Sequence, residues 1–108
     1  MQFEEADVAK FLVTYIGGSG PPTDAAQAEQ IKQAFGRWLG EAGSAVVDPG
    51  APLRPGTHIA TGTPEAGVTI GGYSVVEAPS LDEAVDILRS HPFVARGGTL
   101  QVDQAVDI

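Results

Sequence analysis

Two helix-start signals lie 56 residues apart, at Asp24 and Ser80, and each stands between two runs of β-type residues. Asp24 is followed three residues later by Gln27, and Ser80 by Glu83, the spacing of a capping box. Behind Asp24, Ala28, Ile31, Phe35, Trp38, Leu39 and Ala42 recur at helical spacing, and Gly43 suits a left-handed helix end. Behind Ser80, Leu81, Ala84, Val85 and Leu88 make the apolar face, and Pro92 limits the helix near His91.

The runs around these helices read as strands. KFLVTYIG (10–17) sets Phe11, Val13 and Tyr15 on one face and Leu12, Thr14 and Ile16 on the other. Both faces are largely apolar, which predicts a strand covered on both sides, and GSGPP ends it. SAVVD (44–48) is the second strand, ended by Pro49-Gly50. THIAT and GVTI are expected to form a hairpin around TPEAG. GGYSVVEA (71–78) and TLQVDQAVDI (99–108) complete the set.

The order is therefore strand, helix, strand, an irregular β region, strand, helix, strand. Two helices at this spacing can cross one face of a four-stranded antiparallel sheet, a ferredoxin-like α+β fold in a single domain over 1–108, with 1–9 as an N-terminal arm. The other sheet face would then carry apolar residues of the first and third strands. Such a face is seldom left open on a small monomer, so a second copy packed sheet to sheet is expected, with Gln101 and Asp103 lining a cavity or its rim.

Composition removes several function classes. There is no cysteine, so disulfides, thiolate metal sites and cysteine nucleophiles are out. His58 and His91 are too far apart for a zinc helix motif, and the carboxylate spacing favours no metal or other cofactor. The net charge is −8 and the six basic residues are scattered, which argues against nucleic acid. No apolar run reaches the roughly 18 residues of a membrane span, and the acidic start of the chain is unlike a secretory leader, so a cytoplasmic location is expected.

The stretch VDPGAPLRPGTHIAT (47–61) collects the candidate site residues. His58 titrates near neutral pH and is the candidate acid–base group, Asp48 its orienter, and Arg54 the clamp for an anionic group. Equally, Asp48 reads as a turn residue, Arg54 as a solvated charge and His58 as a surface residue. Tyr15 and Tyr73 are core residues whose hydroxyls would reach a cavity edge and touch a ligand. His91 reads as a helix-closing residue at the negative end of the dipole, and Trp38 as a core anchor.

The ordered set AVVDPGAP, GGYSVVEAPSLDEAVDIL and GGTLQV resembles the YCII-related (DGPF-domain) proteins, over about Phe11 to Val106. The resemblance implies a ferredoxin-like fold that pairs into a dimeric α+β barrel. Some members are thought to use a histidine on the first helix with an acid just after the first strand. The helical place falls near Lys32 here and the region after the first strand is Gly17-Gly18-Ser19, while TPEAGVTI stands where other members carry D-G-P-F. Three functions remain open. One is a homodimeric domain that binds a small anionic metabolite in a cleft beside 48–58. Another is a cofactor-independent acid–base enzyme, a lyase or hydrolase of a small cyclic compound. The third is a protein-interaction or dimerisation module.

Overall fold

A computed structural model describes residues 8–18 and 22–108. Ser19, most of the 1–9 arm and part of the GSGPP break lie outside the described residues. The elements run β1 (Ala9–Gly17), α1 (Ala25–Ala42), β2 (Val46–Pro52), β3 (Ile70–Ala78), α2 (Leu81–Leu88), α3 (Pro92–Ala95) and β4 (Gly98–Gln104), with a 3₁₀ turn at Gly43–Ala45. The four strands form one sheet in the order β2-β3-β1-β4, every neighbour antiparallel. That order is the ferredoxin-like one and places β1 and β3 at the centre.

Both helix starts are capped as their side chains dictate. Asp24 Oδ1 accepts from the Gln27 amide at 2.7 Å, and Gln27 Oε1 accepts in return from the Thr23 amide at 2.7 Å, one residue before the cap. Ser80 Oγ accepts from the Glu83 amide at 3.2 Å. Gly43 follows α1 with φ 60 and ψ −133, a positive φ open to glycine but not the left-handed helical conformation expected of it. The helices share one face of the sheet. Phe11 and Val13 of β1, Val76 and Ala78 of β3, Trp38 of α1, and Ala84 and Leu88 of α2 close the core. Trp38 also ties the helices together, its Nε1 donating to the Ile87 carbonyl at 3.2 Å. Leu81, expected on the buried face of α2, is instead exposed, because it lies in the first turn where the helix enters from solvent.

Register follows from the pairings Phe11↔Val76 and Val13↔Ser74 on one side of β1, and Val13↔Val102 and Tyr15↔Leu100 on the other. The opposite face carries Leu12, Thr14, Ile16, Tyr73, Val75, Gln101 and Asp103, with Leu12 44% exposed. No helix covers it.

Three strand expectations are corrected. THIAT and GVTI form no hairpin; residues 53–69 hold no helix or strand, and Ile59 is fully exposed. Two short runs interrupted by Pro55, Pro64, Gly56 and Gly62 gain too few ladder bonds to hold a hairpin away from a core. β2 begins later than SAVVD and runs through Pro49-Gly50 instead of stopping there. It does so with register shifts between Val46, Asp48 and Ala51 opposite β3, so Pro-Gly makes a bulge. β4 ends at Gln104, opposite Phe11 of β1, instead of running to the last residue, and Val106 and Ile108 lie exposed beyond it.

Gly50 is the pivot of that bulge. Its φ is 76, and a Cβ there would fall onto the Tyr73 carbonyl oxygen. Gly50→Ala is expected to lower stability by about 3 kcal/mol, combining left-handed strain with backbone collision. Urea denaturation of both proteins checks it, since an unchanged midpoint would mean that β2 and β3 do not approach so closely.

Candidate functional site

Tyr15 ends the inward row of β1, and three polar groups converge behind it. Its hydroxyl lies 2.8 Å from His91 Nε2 and 2.9 Å from Ser74 Oγ. Ser74 faces the same side of β3 and is fully buried, and its hydroxyl donates to the Pro49 carbonyl at 2.8 Å. His91 is 2% exposed. It is the N-cap of α3, where its Nδ1 accepts from the Phe93 amide at 3.0 Å. Pro92 at the first helical position needs no such partner, so the first free amide of α3 belongs to Phe93.

The direction of every proton in this chain follows from its two ends. A backbone N–H only donates, so Nδ1 of His91 carries a lone pair, and the neutral ring holds its proton on Nε2. Nε2–H therefore donates to Tyr15 Oη. A carbonyl only accepts, so the Ser74 proton is committed to Pro49, and Tyr15 must donate to Ser74. The path runs from His91 to Tyr15 to Ser74 to Pro49 and stops there.

Aromatic rings enclose the imidazole. Trp38, Tyr15 and Phe35 have ring centroids 4.5, 5.1 and 5.7 Å from it. Burial in this box, helped by the Arg96 charge, lowers the His91 pKa to about 4. Burial also raises the Tyr15 pKa above its ordinary value, more than Ser74 and Arg96 lower it. Both groups are neutral at pH 7.

Tyr15 and His91 form part of the wall of a cleft of about 330 Å³. α1 contributes Ile31, Lys32 and Phe35, the β2 bulge contributes Pro49 to Pro52, and α3 with the residue after it contributes Phe93 and Arg96. Gly71, Gly72 and Tyr73 of β3 close the remaining side, and a Cβ at Gly72 would press on Ala51. Among the described residues, Lys32 and Arg96 are the only charged side chains on this wall. Both are exposed and so stand at its rim, Arg96 with its Cζ 5.8 Å from the centre of the Phe93 ring. A shallower depression of about 480 Å³ lies elsewhere, and its charged lining is Glu77, Glu83 and Asp86. It holds no buried polar chain.

The residues singled out from sequence are distributed unevenly. Tyr15 lines the cleft, whereas Tyr73 borders it from β3 with its side chain, by the strand alternation, on the opposite sheet face. Asp48 is exposed, and its Oδ1 accepts from the Gly50 amide at 2.8 Å, a turn bond within the bulge. Arg54 and His58 are exposed in the 53–69 segment and are not on the cleft wall. Among the described residues, no hydrogen bond joins His58 to Asp48 or Arg54, and no group of three or more His, Asp or Glu side chains could hold a metal ion. His91 does not close α2: Arg89 does, and His91 opens the next helix, so its ring faces inward instead of meeting a helix C-terminus. From sequence Phe35 reads only as part of the apolar stripe of the first helix, and Ser74, Phe93 and Arg96 carry no site role there. The one local signal was His91-Pro92, a side-chain acceptor directly before a proline at a helix start.

A family model for the YCII-related domain matches residues 13–103. The chain belongs to the YCII-related family. No match was found among the curated proteins. The matched span contains the whole Tyr15–Ser74–His91 chain and the described cleft wall. In this YCII-related chain Lys32 stands on that wall and brings a positive charge to it.

His91 gives the fold a pH dependence of definite sign. Its folded pKa of about 4 lies below the ordinary value of 6.5, so unfolding lets the ring take up a proton at any pH between them. The stabilisation is complete above pH 6.5 and is lost as pH falls through 4, to a total of about 3 kcal/mol. His91→Asn, which keeps a capping acceptor, should flatten that part of the stability–pH curve measured by denaturation between pH 7 and 4. A wild-type His91 ring resonance that titrates near 6.5 would contradict the assignment.

Proposed function

We propose that this domain binds a small anion with an apolar body in the cleft between α1, the β2 bulge and α3. The observation that carries the reading is the cleft's charge: in a chain of net charge −8, its described wall has two cations and no acid. Apolar surface with a few polar groups is the ordinary make-up of a ligand site, and about 330 Å³ suits a small metabolite. Residues 49–52 border the cleft, while Arg54 and His58 lie beyond it, so the clamp falls to Lys32 and Arg96.

Recognition is favoured over acid–base chemistry by the closed hydrogen-bond chain. A general base needs a free lone pair and somewhere to send the proton. His91 Nδ1 is occupied by the helix cap, and the path through Tyr15 ends on a carbonyl that takes no proton. Replacing Lys32 and Arg96 together by alanine should weaken benzoate binding at least tenfold, read by isothermal titration, and raising salt should weaken the wild type in the same direction. Undiminished affinity in the double variant would refute the anion reading.

The functional unit is a homodimer joined through the open sheet face, as a dimeric α+β barrel of two single-domain subunits. Leu12, Ile16, Tyr73 and Val75 support this, because they put apolar surface on the side that no helix covers. Leu12→Asp should shift the sedimentation mass from twice the chain mass of 11.1 kDa to one copy. A wild-type protein that sediments as a monomer would end this part of the reading.

A further inference from the structure

The closed chain fixes what Tyr15 can offer a ligand. Its one proton goes to Ser74, and one of its lone pairs takes the proton of His91 Nε2. A phenol oxygen has a second lone pair, and Tyr15 lies on the cleft wall. Neither end of the chain can reverse, since the Phe93 amide has no lone pair to accept with and the Pro49 carbonyl has no proton to give. Tyr15 lies on the cleft wall, and whatever capacity its Oη has left for a ligand there is as an acceptor alone.

The rim and walls set the remainder of the ligand. Lys32 and Arg96 call for a carboxylate or similar anion. Phe35 from α1 and Phe93 from α3 bring aromatic rings to the wall, and Arg96 lies over the latter, an arrangement that suits a flat, polarisable body. We propose that the ligand is a small aromatic acid that also carries a hydroxyl or amino donor, and that Tyr15 Oη selects for that donor. The inference rests on the cleft being an anion-binding site, and it adds the donor and the flat ring to that reading.

Benzoate, 3-hydroxybenzoate, 4-hydroxybenzoate and their two methoxy counterparts separate the possibilities by isothermal titration against the wild type and Tyr15→Phe. At least one hydroxybenzoate should bind the wild type about tenfold more tightly than benzoate, the gain of a hydrogen bond made in a partly desolvated site. Its methoxy counterpart, with an acceptor and no donor, should gain nothing. In Tyr15→Phe the preference for that hydroxybenzoate over benzoate should vanish, and a preference that persists in the folded variant would overturn the assignment to Tyr15. Benzoate bound equally to the hydroxybenzoates in the wild type would overturn the donor assignment and leave the anion site standing. Failure of benzoate itself to bind would remove both. Because Tyr15→Phe strands the His91 and Ser74 groups and could unfold the chain, ring ¹⁵N shifts of wild-type His91 give a second test. A proton on Nε2 is expected, and a proton on Nδ1 would reverse the chain and sink the proposal.

Discussion

The Phe93 amide donates to Nδ1 of His91, and most of what is distinctive in this fold is arranged around that bond. It caps a four-residue helix that is too short to hold itself. It also fixes the tautomer of an imidazole buried among Trp38, Phe35 and Tyr15, so that Nε2 carries the proton. A buried polar ring is tolerated only when both nitrogens are answered, and here one is answered by backbone and the other by Tyr15. Were either partner missing, the ring would favour solvent, and the short helix that sets Phe93 and Arg96 at the cleft would lose its start.

The hydrogen-bond chain that starts at that bond links β1, β3, the β2 bulge and α3. Tyr15 and Ser74 lie on the inward faces of the two central strands, on neighbouring rather than identical pairing positions. Ser74 reaches the Pro49 carbonyl because β2 bulges at Gly50, where the chain takes a left-handed turn close against Tyr73. The glycine and the hydrogen-bond chain are therefore two parts of one device: the bulge brings in the carbonyl on which the chain terminates. It also pushes Pro49 to Pro52 outward to form a cleft wall.

Much of the architecture was legible in the residues. The capping pairs at Asp24 and Ser80 located both long helices, and the alternation of Phe11, Val13 and Tyr15 named the buried face of β1. These signals are local, depending on neighbours within four residues. The irregular region was not legible. Proline and glycine in 49–56 mark a break in regular structure, but whether the break is a stop, a turn or a bulge depends on the strand alongside. For the same reason a loop histidine, His58, drew attention that its exposed position does not reward, while His91 looked like a helix terminator. Lys32 reads in the sequence as one more scattered base, and the structure adds the cleft beside it.

By itself, the sequence determined the element types, the helix starts, the inward residues of the central strands, and the absence of cysteine chemistry. It could do so because capping, period and composition are set by short-range sterics and hydrogen bonding. The tertiary structure alone decided that Tyr15, Ser74 and His91 meet, since they lie 59 and 76 residues apart and nothing in their neighbours encodes the encounter. It alone placed Lys32 and Arg96 on one rim. Those meetings come from the strand order, which brings β1 between β3 and β4 and so folds the two ends of the chain around a single buried imidazole.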